Sequence, residues 1–291
     1  MKTILVFGIN GFIGSHYVNF ISQSDHRDKY KIIGCGRSAE HKSKSGILYK
    51  SSDITIYDEV EKTFNEVRPD FVLNFAGTFN SGNYQELMEQ NVKASRNILE
   101  AAHRSGTSKK ILFLGSAAEY GVPKFNPVTE LHPENPVSLY GLSKLYQTEL
   151  ARFYYRVFEV PVIVARPFNI KGIGISEKLS IGNFQKQITE AKEGDVLSVG
   201  NLKSYRDFLP VRKVVEYLHR LIKYGKPGET YNICSGNPVQ MEQVLKEMIQ
   251  ESGKNLSIST DAHLLKKKDV NMIYGSCEKL NLLDQLSFKD E

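Results

Sequence analysis

The sequence predicts an α/β fold: a doubly wound, mainly parallel sheet with a smaller C-terminal lobe interleaved with it. Three observations predict it. Up to Pro167, short β-branched or aromatic runs alternate with amphipathic helical stretches. Glycines at G-x-x-G-x-x-G spacing join the first run to the first helix, and after Pro167 the alternation gives way to a loop-rich pattern. Such alternation winds a parallel sheet through right-handed crossovers and leaves the ligand at the carboxyl ends of the strands.

The elements follow in order. Thr3–Phe7, Tyr30–Cys35, Phe71–Phe75, Ile111–Gly115 and Val162–Arg166 are apolar on both faces, as buried parallel strands are. Between them, Val60, Phe64 and Val67 repeat at helical spacing, and Leu87, Met88, Val92, Ile98, Leu99 and Ala102 place a second apolar stripe on a helix. Val137–Glu159, with Pro136 before it and Pro161 beyond, reads as a longer helix. Gly172, Gly174 and Gly182 break up the next stretch, and Val211–Tyr224 and Met241–Ser252 read as helices of the C-terminal lobe.

Composition narrows the function classes. At 41% hydrophobic and 24% charged residues, the 291-residue chain is an ordinary globular one with a sizeable core. The opening run MKTILVF is cut off by Gly8, too short for a signal peptide or a membrane span. Cys35, Cys234 and Cys277 are widely spaced without C-x-x-C, which predicts a reducing, cytoplasmic setting and no disulfide framework. The seven histidines fall in no metal-ligand spacing, so no metal is expected. A net charge of +5 is too mild to point to nucleic acid; His41-Lys42-Ser43-Lys44 and Lys266-Lys267-Lys268 read as solvated loop charges.

The stretch ILVFGINGFIGSHYV runs strand, glycine turn, helix, with Gly8, Gly11 and Gly14 in the turn. Glycines let the backbone approach a pyrophosphate, and the helix offers its free N–H groups to the anion. That context makes the sheet a Rossmann-type dinucleotide binder over 1–167, with 168–291 mainly a substrate lobe. The second strand ends IIGCGRS, where a carboxylate would hold an unphosphorylated ribose; Gly36, Arg37 and Ser38 stand there instead. Arg37 suits a 2′-phosphate, so NADPH is expected over NADH; the plainer alternative is a surface arginine. Asp53, in SSDIT, serves either the adenine amino group or a local turn. Ala76-Gly77 marks a close backbone approach to the cofactor or simply a tight turn.

Tyr140 and Lys144 lie four apart, on one helix face. A free phenol, with a pKa of about 10, is a weak acid–base catalyst at neutral pH, and a neighbouring ammonium is expected to draw that pKa down. Ser116, at the end of the fifth strand, projects to where ligands bind, its hydroxyl suited to a developing alkoxide. Y-x-x-x-K alone recurs on many surface helices; with the strand-end serine and glycine loop in this order, it points to ketone reduction or alcohol oxidation.

These motifs, with the strand-end NFAG and ARPFN at 165–169, resemble the extended short-chain dehydrogenases/reductases, a family of nucleotide-sugar epimerases, dehydratases and reductases. SAAEYG, PVSLYGLSK, ARPFNIKG, YRDFLPV and KPGETYNICSG look most like its GDP-6-deoxy-4-keto-mannose reductases (GDP-rhamnose synthases) and the related GDP-mannose 4,6-dehydratases. The resemblance fades in the C-terminal segment, which lacks the tryptophan common there. It implies a cofactor set of Gly8, Asn10, Gly11, Phe12, Ile13, Gly14, Arg37, Ser38, Asp53, Ile54, Ala76, Gly77, Tyr140, Lys144 and Pro167. Asn169, Lys186 and Arg206 are implied to meet the nucleotide diphosphate or sugar; otherwise Lys186 is an exposed helix lysine and Arg206 pairs with Asp207 or Glu216. Asn91 either steadies the active-site backbone or a relay water, or caps a helix. A homodimer through the helices around Leu87–Ala102 and Val137–Glu159 is implied too.

In the family's 4,6-dehydratases an Asp-Glu pair follows the active-site hydroxyl and drives elimination. Ala117 and Ala118, beside Ser116 in the substrate set, stand there in this chain. In its 3,5-epimerase/reductases the acid and base are a cysteine and a histidine, at positions matched by Ala118 and, approximately, Gly174. Alanine moves no proton. The expectation is therefore NADPH-dependent reduction of a nucleotide-linked 4-keto-6-deoxyhexose, with GDP favoured and CDP or dTDP as other carriers. The alternatives are a 4-epimerase or a 4,6-dehydratase and, from a different class, a non-catalytic NADP-binding protein.

Overall fold

The computed structural model describes residues 1–24, 29–37, 47–79, 82–264 and 270–287; Ser38, His41–Lys44 and Lys266–Lys268 lie outside the described residues. β1 (Lys2–Phe7), β2 (Tyr30–Gly36), β4 (Phe71–Asn74), β5 (Lys110–Leu114) and β6 (Val162–Pro167) reproduce the predicted runs, and β3 (Leu48–Ser51) is added to them. With β10 (Thr230–Ile233) they form a seven-stranded sheet in the order β10-β6-β5-β4-β1-β2-β3. Every pairing in it is parallel. The chain order reverses between β1 and β4, and that crevice is where an open α/β sheet takes its ligand.

Alternation along β1 explains why both sheet faces are covered. Ile4 and Val6 pack against α1 (Phe12–Gln23) and α7 (Val211–Tyr224). Leu5 and Phe7 pack against α2 (Tyr57–Val67), α4 (Ala94–Ser105) and α5 (Leu139–Phe158). Side chains that point alternately to opposite faces thus feed two apolar layers. α5 begins two residues later than the sequence suggests, because Ser138 caps it by accepting from the Gly141 N–H at 3.0 Å.

The predicted stripe from Leu87 to Ala102 is interrupted. α3 (Tyr84–Leu87) and α4 are joined by a π-helical turn over Met88–Lys93. Met88 and Val92 are only half-buried there, while the polar Asn91 is fully buried. A π turn inserts one residue into the helical register, so the apolar spacing misreads which side chain faces inward.

After Pro167 come β7 (Asn169–Lys171), α6 (Ser180–Glu190), β8 (Val196–Val199), β9 (Tyr205–Pro210), β11 (Pro238–Gln240) and α8 (Met241–Ser252). β12 (Ser257–Thr260), β13 (Met272–Ile273) and α9 (Glu278–Ser287) complete the described chain. β9 carries β11 and β13 on its two sides and also pairs with β7, while β12 pairs with β8. Phe184, Ile188, Leu197, Phe208 and Leu245 make a separate core, yet α7, β10 and α9 return to pack with the large sheet. Phe12, from the glycine turn, packs against both cores.

Sequence spacing hides one proximity. Cys234, after β10, and Cys277, before α9, are free thiols whose sulfurs lie 3.3 Å apart. The close pair is made by the fold, not by a C-x-x-C motif.

Candidate active site

Gly8 has φ +75°, and a Cβ on it would come within 2.5 Å of the Ala76 nitrogen. Only glycine lets the turn after β1 lie against the Ala76-Gly77 end of β4. Gly14 brings α1 onto the turn, since a Cβ there would lie 2.4 Å from the Gly8 carbonyl oxygen. α1 starts at Gly11 with no side-chain cap, unlike the serine-capped α5, so its first N–H groups remain available to an anion. Backbone approach and uncapped helix end together fit a dinucleotide pyrophosphate. Asn10 is exposed at the turn, Ile13 is buried under it, and Ile54 and Pro167 are buried at the ends of neighbouring strands.

Arg37 is exposed at the end of β2 and pairs with no carboxylate among the described residues. Asp53 uses Oδ1 to accept from the Thr55 N–H (2.9 Å) and hydroxyl (2.8 Å), so that oxygen builds the local turn.

The catalytic candidates come together at the ends of β5 and α5. Ser116 opens a 3₁₀ turn over Ala117–Glu119, its Oγ accepting from the Ala118 N–H at 3.1 Å. Lys144 is buried; its Nζ donates to the Leu114 carbonyl oxygen and to Gln147 Oε1, each at 2.7 Å. Gly77 leaves room for Asn91, since a Cβ there would lie 2.8 Å from Asn91 Oδ1. Burial lowers the Lys144 pKa to about 8, with Glu119 pulling the other way.

Tyr140 corrects the electrostatic expectation. Burial pushes its phenol up to about 12, the hydrogen-bonding influence of Ser116 lowers it, and Glu119 raises it. Burial is the largest influence on the phenol, and Lys144, whose ammonium donates to Leu114 and Gln147, is not among the groups that act on it. The phenol is therefore a proton holder at neutral pH.

Beneath this set lies a network that the sequence reading missed. Glu119 accepts from the Ser116 N–H (2.8 Å), the Thr148 hydroxyl (2.8 Å) and Arg166 Nε (2.8 Å). Arg166 also reaches Glu134 at 2.7 Å, and Glu119 and Arg166 are both fully buried. The signal was legible in SAAEYG: serine followed three residues later by glutamate is a capping box. Asn91 takes one of the roles that the sequence left open. It accepts from the Thr78 N–H (2.8 Å) and donates to the Thr78 carbonyl oxygen and the Ser143 hydroxyl (2.9 Å each). It steadies the backbone after β4 rather than capping a helix.

The two alanines differ. Ala117 is buried in a small apolar cluster with Tyr120, Val128, Phe168, Cys234 and Ile273, whereas Ala118 is half-exposed. In the lobe, Asn169 on β7 donates to the Asp207 carbonyl oxygen at 3.2 Å, which brings it close to Arg206 on the adjoining β9. The Asp207 carboxylate accepts from Ser235, Gly236 and Gly275, and Glu216 pairs with Arg212 and Lys213. Lys186 is held by Glu177 at 2.8 Å on the exposed face of α6.

Comparisons with known proteins agree with this arrangement. GDP-6-deoxy-D-mannose reductase of Pseudomonas aeruginosa is 26% identical over 302 aligned positions, covering 100% of this chain and 92% of its own. UDP-glucose 4-epimerase 2 of Oryza sativa subsp. japonica is also 26% identical, covering 89% of this chain and 71% of its own. The solved structure of RMD from Pseudomonas aeruginosa complexed with NADPH superposes with a TM-score of 0.85 at 24% identity, over 97% of this chain and 92% of that one. The model of the NAD dependent epimerase/dehydratase family matches residues 4–234. Glycine turn, sheet order and matched span place the chain in that family, among the nicotinamide-dependent enzymes of the extended short-chain dehydrogenase/reductase type.

Proposed function

We propose that the chain reduces the 4-keto group of a nucleotide-linked 4-keto-6-deoxyhexose with NADPH, preferring a GDP carrier. The observation that carries this reading is the makeup of the Ser116 turn. The two positions after Ser116 are Ala117, packed with Tyr120, Val128, Phe168, Cys234 and Ile273, and the half-exposed Ala118, and the turn's one carboxylate, Glu119, is already engaged by Ser116, Thr148 and Arg166. Proton removal from a sugar carbon needs a free base; carbonyl reduction needs one acid.

The bound nicotinamide supplies the hydride. Tyr140 gives its proton to the forming alkoxide, Ser116 steadies that oxygen, and Lys144 holds the cofactor ribose. General acid help of this kind contributes about 10²–10⁴-fold, and positioning of the two reactants supplies much of the rest. Asn169 and Arg206 meet the nucleotide diphosphate.

A second reading, a 4-epimerase, draws on the relative of that name and needs only the same three residues. Arg37 favours the reductase, because it stands where a carboxylate would hold an unphosphorylated ribose. Loss of nicotinamide absorbance is the test, followed with NADPH and a panel of GDP-, CDP-, dTDP- and UDP-linked 4-keto-6-deoxy sugars. Stoichiometric oxidation with one carrier is expected. No oxidation with any, alongside interconversion of UDP-glucose and UDP-galactose, overturns the reading. Arg37→Ala is expected to weaken NADPH about 10–100-fold, as losing hydrogen bonds to a charged group does. NADH affinity should stay where it was; equal losses for both cofactors would remove Arg37 from the 2′-phosphate.

A further inference from the structure

We propose that Glu119 is a positioning residue of the catalytic set. Anchored by Arg166, its carboxylate fixes the Ser116 turn and sets one negative charge beside Tyr140 and Lys144, so that Tyr140 meets the ketone as a protonated acid. The proposal rests on the reductase reading above and adds to it a bias toward reduction over alcohol oxidation.

The geometry fixes the turn, and the Thr148 contact sets the carboxylate against α5, the helix that carries Tyr140 and Lys144. One carboxylate oxygen, Oε1, accepts from the Ser116 N–H, and the other, Oε2, takes the Thr148 hydroxyl and the Arg166 guanidinium. A Cβ on Gly115 would lie 2.6 Å from Oε1, so the glycine before Ser116 makes room for this contact. Ser116 is held in its extended conformation by the reciprocal cap, with φ −160° and ψ 144°. Every group hydrogen-bonded to Glu119 is a donor, so its ionised form is the one this pocket fits. Burial raises its pKa, while Arg166, the Ser116 N–H, Thr148 and Lys144 act against that rise.

A buried ion pair seldom adds net stability, since desolvation offsets its attraction. Its presence directly under the catalytic turn therefore calls for a use. The charged groups around it come from three sides. Arg166 arrives from β6, with Glu134 and Arg152 behind it. Lys144 and Tyr140 arrive from α5, and both feel the Glu119 charge. Tyr120, next along the turn, stacks its ring against Arg166 at 4.8 Å and has Glu130 in its field. Of these groups, Glu119 is the anion that acts on the Tyr140 phenol, and an anion there favours the protonated form.

Glu119→Gln tests the idea, because it keeps an acceptor for Ser116 and deletes the charge. Two readouts follow. The first is the basic limb of the kcat/KM profile for reduction. The second is the onset of phenolate absorbance in the free protein, taken as the difference between each background and the same background carrying Tyr140→Phe; it needs neither sugar nor cofactor. Both are expected to move down by about one pH unit, a tenfold loss of proton affinity. Glu119→Asp, which keeps the charge, is expected to restore the onset. If Glu119→Gln does not fold with Arg166 left unpaired, Glu119→Gln with Arg166→Met removes both charges and should give the same downward move. A fall in kcat with the phenolate onset unmoved would overturn the proposal and leave Glu119 a purely structural cap. If no sugar nucleotide is turned over, the reductase reading fails, and the absorbance onset still decides the role of Glu119.

Discussion

Tyr140→Phe is expected to cut NADPH-linked reduction by about 10²–10⁴-fold, the share that general acid catalysis supplies. NADPH affinity should be largely unchanged, because the glycine turn and the uncapped end of α1 are untouched. The size of the loss follows from what remains. Ser116 can steady an alkoxide but its hydroxyl is already oriented by the Ala118 N–H. Lys144 is tied to Leu114 and Gln147, and Glu119 is engaged by Ser116, Thr148 and Arg166. With the phenol held at a pKa of about 12 by burial, Tyr140 is fully protonated at neutral pH, the form an acid needs. Single-turnover rates and NADPH titration check both halves; wild-type turnover in the variant would remove Tyr140 as the acid.

Gly14→Ala should have an effect of similar size on the cofactor instead of the chemistry. Its new methyl would lie 2.4 Å from the Gly8 carbonyl oxygen and 2.5 Å from that of Ile9. Backbone atoms of the turn cannot step aside, so α1 must move off the sheet and carry its free N–H groups away. Overpacking of this kind costs about 1–3 kcal/mol of stability, and loss of the anion site should weaken NADPH about 100-fold or more. Gly106→Ala is the control. That glycine ends α4 at φ +59° with nothing within 4 Å of a built Cβ, so only the left-handed penalty of about 1–2 kcal/mol applies and NADPH binding should hold. Calorimetric titration of NADPH into both variants, with thermal melts, separates the two effects. Equal affinities would mean the close approach at Gly14 is not what shapes the site.

Most of the large sheet was legible because β1, β2, β4, β5 and β6 are apolar on both faces and its glycine turn is local; β3, with the half-polar sequence LYKS and no buried residue, gave no such run. β1, β2, β4, β5 and β6 fall within a residue or two of the runs that predict them, and α7 and α8 match their predicted spans. Ser116, Tyr140 and Lys144 were legible for the same local reasons. What escaped was long-range or polar. Arg166 sits in an apolar run, and nothing in ARPFN says that its partner is Glu119, 47 residues earlier. Cys234 and Cys277, 43 residues apart, meet only because β10 ends beside the turn that starts α9. The phenol's upward shift was missed because Y-x-x-x-K spacing does not reveal how strongly the surroundings desolvate the phenol.

The central claim is a one-way reduction at a single carbon, with no proton exchanged at its neighbours. Running the reaction in deuterated water with cofactor deuterated at the transferring position, and locating the label in the recovered sugar nucleotide, tests it most directly. One deuterium per product at C4, delivered from the cofactor, with none at C3, C5 or C6 is the predicted outcome. Solvent deuterium on any of those carbons, or a product whose C4 label does not match the NADPH consumed, would contradict it.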